Sequence, residues 1–349
     1  MRLLSLLVLL LLLAPAPAAD PAVTAVKDAE TITFKDEAGQ TIAVYRFAGR
    51  VPDPAAKTPG ATKDLAKPFF YPVFAATQIP VTRGWPVAKQ SGDATTDHPH
   101  QKSAWFCHGD VIPEGIDLKV KSADKRVHGI DFWAEGGNHG RIVCVEVGEP
   151  VQVSKDHVRV PTRNEWRAAD GTKVLDESRT IHAIDLPAGR LLVLEIDLHA
   201  SVCPVTFGDT KEGAMGVRVN DAIRADPKAK TGGTLTNAAG KASEKEVWGY
   251  PADWVDYFGR IGDQTAGVAV FDDPRNPHRA NWHARGYGLL AANPFGRAAS
   301  GFPSQKGKTE LVKLAKGEHL KLRYGIYTHG GDTAAGKVAE AYKAFAAAK

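Results

Sequence analysis

The sequence has only three cysteines in 349 residues, Cys107, Cys144 and Cys203. They lie far apart and form no C-x-x-C pair, which excludes a zinc ribbon and a thioredoxin-type redox motif. So few thiols point to a fold held by its core rather than by covalent staples. One pair has the option of bridging in an oxidising compartment, but buried thiols are the simpler expectation. No G-x-G-x-x-G opens a helix, and strand and helix patterns do not alternate, so a doubly wound nucleotide fold is excluded. No stretch concentrates Lys and Arg with interleaved aromatics, so the net charge of +4 does not imply nucleic acid. Internal repeats and sharp composition shifts are also missing. The chain beyond residue 19 therefore reads as one domain, 20–349.

One long apolar run is present, at the start: "MRLLSLLVLLLLLAPAPAAD". A single Arg precedes an apolar stretch from Leu3 to Leu13, and small residues and prolines follow. This is the pattern of a secretory signal peptide, with cleavage expected near Ala18 or Ala19. The run is too short to cross a bilayer, which needs roughly 20 residues. No later segment is apolar enough to span one. The expectation is a secreted or periplasmic protein with no transmembrane segment.

The mature chain carries mostly β patterning. "ETITFKDEAGQTIAVYRF" alternates with period two around a Gly turn, as a hairpin does. "RIVCVEVGEPVQVSKDHVRVPTRNEW" reads as two or three strands. "RLLVLEIDLHASV" sets Leu192, Leu194, Ile196 and Leu198 on one face. "HLKLRYGIYTHGGD" repeats this near the end. Turn signals recur every ten to twelve residues, which predicts a large antiparallel sandwich. One helix is expected, over 333–348, where Val338, Ala341, Tyr342 and Phe345 fall at helical spacing behind an N-cap at Asp332 or Thr333. Residues 52–68 read as a surface loop. The long polar stretch 220–249 reads as a loop of the kind that borders a cleft.

Three polar clusters carry the candidate chemistry. In "TTDHPHQKSAWFCHGD", Pro99 confines His98 and His100 to a loop or a strand start, and Ala104 to Cys107 read as a buried strand with His100 and His108 at its ends. Histidines so placed suit a polar substrate or a metal. In "FGDTKEGAMGVRV", Asp209, Lys211, Glu212 and Arg218 crowd the start of a strand, where a glutamate beside basic groups can become a tuned acid or base. In "FDDPRNPHRANWHARGYGLLAANPFG", planar, aromatic and polar residues mix with glycines, including Trp282, His283, Arg285, Tyr287 and Asn293. Sugar sites combine groups of these kinds. His329 adds an imidazole near the last strand.

These stretches carry a resemblance. "KPFFYPV", "DHPHQKSAWFCHGD", "GIDFWAEG", "WRAADGTKVLDESR", "GDTKEGAMGVRV", "GVAVFDDPRNPH", "WHARGYGLLAANPFG" and "RYGIYTHGGD" occur in order from about Lys67 to Asp332. The chain resembles a family of secreted bacterial proteins of unknown function, often labelled PmoA-like methane oxygenase proteins. Members usually have a second histidine where Gln101 stands, and an Asp where Ala284 or Arg285 stands. The resemblance implies a large β-sandwich similar to the galactose-mutarotase-like supersandwiches. The label names an integral membrane protein, a class that a chain with no spanning segment does not fit.

The leading expectation is a carbohydrate-active enzyme doing acid/base chemistry on a sugar, of epimerase or mutarotase, lyase or hydrolase type. Glu212 is the expected base, and His100 and His283 are the expected acid or oxygen stabiliser. His108, Arg218, Trp282, Asn293, Lys211 and His329 are the expected substrate contacts. No cofactor is required by this chemistry. Two alternatives stand beside it. One is a non-catalytic glycan-binding module using Trp85, Trp133, Trp248 and Trp254. The other is a metalloprotein with zinc or copper on His98, His100, His108 or His283. The oligomeric state is not readable from the sequence.

Overall fold

The computed structural model describes residues 22–88, 94–229 and 231–348. The expected signal peptide at 1–19 lies outside them. Two antiparallel sheets face each other. The front sheet has eight strands, and its outer half is formed by Phe69–Val73, Ala104–His108, Gly213–Arg218, Leu289–Asn293 and Asn281–Arg285, in that order. The back sheet has nine, centred on His157–Arg167, Lys173–Leu186, Gly189–His199, His319–Gly330 and Gln264–Asp272. A three-stranded sheet of Val312–Leu314, Val205–Phe207 and Val111–Pro113 closes one end.

Alternation along the strands builds the core. Leu192, Leu194, Ile196 and Leu198 are all buried, as their spacing predicts. Phe106 reaches across from the front sheet to the rings of Trp166 and Tyr324 in the back sheet, each with centroids 6.2 Å away. The hairpin Thr31–Asp36 with Thr41–Arg46 pairs as expected, and Gly39 supplies the left-handed φ of +76° that its turn needs. The three cysteines are all unpaired thiols.

The C-terminal helix spans Val338–Ala347 and buries Val338, Ala341, Tyr342 and Phe345. It starts later than the spacing suggests. Asp332 accepts from the N–H groups of Ala334 and Ala335 and so holds a turn before the helix, and the N-cap position is Lys337. The helix covers Leu191, Val193, Phe271 and Tyr327 on the outer face of the back sheet. That cover explains why Leu191 and Val193 are buried although they point away from the sandwich core.

The register of the front sheet decides what its exposed face carries. Directly opposed residues share a face. Trp105 opposes Gly216, Gly216 opposes Ala291, and Ala291 opposes His283, giving one row across four strands. The next row, Phe106, Met215, Ala292 and Trp282, points into the core. Gly216 is required where it stands: a Cβ there would lie 2.7 Å from the Trp105 ring.

Candidate functional site

A two-lobed cleft opens on the outer face of the front sheet. One lobe, of about 380 Å³, is lined by His98, His100, Gln101, His283, Arg285 and Tyr287 together with Trp133. The other, of about 510 Å³, lies towards the three-stranded sheet. Asp124, Arg126, Asp131, Lys211 and Glu212 border both.

Glu212 sits immediately before the strand Gly213–Arg218, at the mouth of the turn that presents Lys211. Its side chain keeps 33% of its surface open, and Oε2 lies 3.9 Å from Nδ1 of His283. Burial pushes the Glu212 carboxyl above its ordinary range; the Asp131 carboxylate adds to the rise, and Lys211 opposes it. Asp131 is itself raised by burial. His283 is pulled down to about 3 by burial, with Lys211 and Arg285 adding to the effect. Its Nδ1 is buried without a hydrogen-bond partner. The Lys211 backbone opposes that downward pull. His100 is likewise pulled down to about 3 by burial, with Lys67 adding to the effect. Both imidazoles are therefore neutral at physiological pH, each with one donor and one acceptor nitrogen.

His98 stands apart from the other two. It adopts a left-handed φ of +44°, and its Nδ1 donates to Asp97 Oδ2 at 2.7 Å. The ring stacks on Tyr287, with centroids 5.3 Å apart and planes 5° from parallel. Asp97 is gripped by two fully buried guanidiniums, Arg83 at 2.6 Å and Arg218 at 2.8 Å. Burial works against its ionisation, but the hydrogen bond from His98 and the charges of Arg218 and Arg83 hold Asp97 well below the carboxylate range. Arg218 also donates to Gln101 Oε1 at 2.7 Å and lies 4.6 Å from the Tyr287 ring centre. Gln101, His98 and Tyr287 are thus fixed by one buried charge network.

A second buried network lies behind His100. Lys102 donates to both oxygens of Glu135, at 2.6 and 2.5 Å. Lys67 reaches Glu135 at 3.2 Å and the Trp133 carbonyl at 2.8 Å. This fastens the loop carrying Asp131 and Trp133 to the sheet. Arg285 pairs with Glu244 at 2.8 Å, from the polar stretch expected to border a cleft.

The cleft gathers Glu212, His100, His283 and Lys211, as the sequence suggested, with His98 beside them. Other expected contacts lie elsewhere. His108 points to the core face, edge-on to the stacked rings of Phe207 and Phe295, and its Nε2 donates to the Gly208 carbonyl at 2.9 Å. Trp282 occupies the core row and donates to the Ala252 carbonyl. It is not a wall of the cleft. Arg218 is fully buried and committed to Asp97 and Gln101, so it braces the site instead of meeting a ligand. Asn293 donates to the Thr210 carbonyl and accepts from the N–H groups of Phe295 and Gly296. It secures the turn behind Glu212. His329 is paired with Asp256 at 3.1 Å in the back sheet, where Thr333 meets the same carboxylate.

The metal set His98, His100 and His108 is split by the sheet, and His98 Nδ1 is occupied by Asp97. Among the described residues no three His, Cys, Asp or Glu side chains converge as a metal set. Of the four tryptophans expected in a glycan-binding module, Trp133 lines the cleft. Asp131 and Gln101 are cleft residues to which the sequence patterns assign no role. The separation of Asp131 from Trp133 by one residue, in "GIDFWAEG", was the available signal.

Fold and site together define an antiparallel β-sandwich with a polar, imidazole-rich cleft on one sheet. The chain belongs to DUF6807, a family of unknown function whose model matches residues 36–343. That match carries no support for the methane oxygenase label, and among the described residues no helix is long and apolar enough to cross a membrane. No curated protein matches the sequence. Similar solved structures include a galactose 1-epimerase from Lactobacillus acidophilus NCFM, 9% identical, covering 89% of this chain and 99% of that one at a TM-score of 0.42. Another is a galactose mutarotase related enzyme from Lactobacillus acidophilus, 8% identical, covering 89% and 98% at a TM-score of 0.29.

Proposed function

We propose that this cleft binds a sugar ring and that Glu212 exchanges a proton with it at the anomeric centre. The observation that carries the reading is the pairing of a desolvated carboxyl with neutral imidazoles across a small polar cavity. A carboxyl raised by burial keeps its proton to higher pH and can give it to a ring or glycosidic oxygen. It can also take the proton back. Neutral His283, through its free Nδ1, and His100 supply acceptors for the hydroxyl whose proton moves the other way. Lys211 and Arg285 are placed to hold further hydroxyls, and Trp133 supplies a planar wall.

For a free aldose, the exchange protonates the ring oxygen while the anomeric hydroxyl loses its proton. The bond between anomeric carbon and ring oxygen opens, and its reclosure gives either anomer. For a glycoside, the same proton goes to the linking oxygen as its bond to the anomeric carbon breaks, and water adds to that carbon and gives its proton to the ionised Asp131 carboxylate. The second carboxyl of the cleft, Asp131, favours including this second outcome: its negative charge helps Glu212 keep a proton, and glycoside cleavage uses two carboxyl groups of different protonation.

Proton NMR tests the proposal. Freshly dissolved aldoses are followed for anomer equilibration, and glycosides for release of reducing sugar, with wild-type protein and Glu212→Gln. Acceleration of either reaction that the variant lacks supports it. Equal rates with and without protein across both sets contradict it. The proposal also places the protein outside the cytoplasm, on the pattern of residues 1–19. N-terminal sequencing of exported protein starting near Asp20 supports this, and a retained Met1 contradicts it.

A further inference from the structure

The two lobes that meet at Glu212 differ in what their walls have left to offer. The lobe holding the imidazoles is lined by polar and aromatic groups apart from Ala134, and some of the polar ones are unspent. Nδ1 of His283 has no partner, and Lys211 has no carboxylate within 4.0 Å among the described residues. In the other lobe, several polar groups are already committed. Asp209 accepts from the N–H groups of Arg297, Ala299 and Ser300. Asp124 is tied to Arg126 at 2.6 Å. Asp110 takes His128. Beside Lys211, Glu212 and the exposed His128, this lobe alone presents aliphatic side chains: Ile112, Val127 and Leu311, each only partly covered. Each lobe alone has the size of a small-molecule site, roughly 300–1,000 Å³.

We infer that the ligand is a glycoside with an apolar aglycone. Its sugar ring occupies the imidazole lobe, its linkage lies over Glu212 and Asp131, and its aglycone fills the aliphatic lobe. An unspent polar wall suits a ring bearing hydroxyls, because each hydroxyl needs a partner when it leaves water. A wall that adds aliphatic carbons offers a hydroxyl fewer partners and rewards an apolar group. A free monosaccharide would leave the larger lobe empty. This inference rests on the proposed sugar-binding function and narrows it to linked sugars.

Calorimetry on Glu212→Gln, which blocks turnover, tests it. The probes are D-glucose, D-galactose, D-mannose, L-fucose and D-glucuronate, each as its methyl and its phenyl glycoside. For at least one sugar, the phenyl glycoside is expected to bind about tenfold or more tighter than the methyl glycoside. Adding Leu311→Trp or Val127→Trp, which fill the aliphatic lobe, is expected to abolish that preference and leave methyl glycoside affinity unchanged. An unchanged melting temperature shows that these variants fold. Methyl and phenyl glycosides of equal affinity, or a phenyl preference that survives both tryptophans, overturns the inference and leaves the sugar-binding proposal standing. Absence of binding by every probe overturns both.

Discussion

Glu212 Oε2 and His283 Nδ1 face each other across 3.9 Å, and the imidazole nitrogen has no partner in the protein. The gap is too long for a direct hydrogen bond. An oxygen set to one side of the line between them sits about 2.8 Å from both, a normal hydrogen-bond distance. The proposal puts a substrate hydroxyl between the carboxyl and the imidazole, admitted by rotation of the part-exposed Glu212 side chain, since the ring nitrogen itself is buried.

Glu212→Gln removes the proton and keeps the shape. Turnover is expected to fall by about 10²–10⁴-fold, the usual worth of a general acid or base. Stability should change in the opposite sense. The folded carboxyl is raised above its unfolded value, so the native state holds this proton longer than the unfolded chain does. Stability is therefore lost as pH rises through the interval between the two values. The variant lacks that loss, so its advantage over wild type should grow from pH 4 to pH 7. Urea midpoints at the two pH values check it, and an advantage that shrinks with rising pH contradicts the assignment.

His283 carries the reverse sign. Its folded value of about 3 lies below the unfolded value near 6.5. The unfolded chain takes up a proton that the native state refuses, so stability falls as pH drops between those limits. His283→Asn removes one such source. The fall in urea midpoint from pH 7 to pH 4 should be smaller in the variant, with His100, His108, His157 and His278, which burial also lowers, contributing to the remainder. An equal fall in both proteins would place the acid sensitivity elsewhere.

Asp97 is expected to matter for folding as well as for the site. Asp97→Asn leaves Arg83 and Arg218 as neighbouring buried cations without their shared anion. Loss of one partner from a buried pair costs on the order of 3–5 kcal/mol, and the exposed third of Asp97 places this case at the low end. Denaturant unfolding measures it. A loss below about 1 kcal/mol would mean that the clamp contributes little.

Gly216→Ala puts a carbon against the Trp105 ring, which also packs edge-on against Trp133 with centroids 5.0 Å apart. Overpacking of this kind costs about 1–3 kcal/mol. Because Trp133 lines the cleft, ligand affinity should fall with stability. Unfolding and calorimetry on the same variant check both, and full affinity in a destabilised protein would detach Trp133 from binding.

The β patterning and the helical stripe of Val338, Ala341, Tyr342 and Phe345 were legible because burial on one face imposes a period on the sequence. Glu212, His100 and His283 were legible because polar residues crowd the ends of apolar strands there. The face each side chain takes was not. Trp282 and His283 are adjacent, and one goes to the core while the other goes to the cleft. His108 falls on the core face although His100, eight positions earlier, lines the cleft, because the chain turns between them before the strand begins. A shift of one position in register reverses such an assignment, and the register depends on strands distant in sequence. Arg218 shows the same limit in charge: only its meeting with Asp97, 121 positions away, turns an expected ligand contact into a brace.

The most direct measurement is a crystal structure of Glu212→Gln soaked with a phenyl glycoside that it binds. The sugar ring is expected beside His283, His100 and Gln101, with the linking oxygen within about 3.2 Å of the introduced amide. Density for the sugar on any other surface, or a ring bound in the cleft with its anomeric carbon turned away from residue 212, would contradict the assignment of Glu212 as the proton-exchanging group.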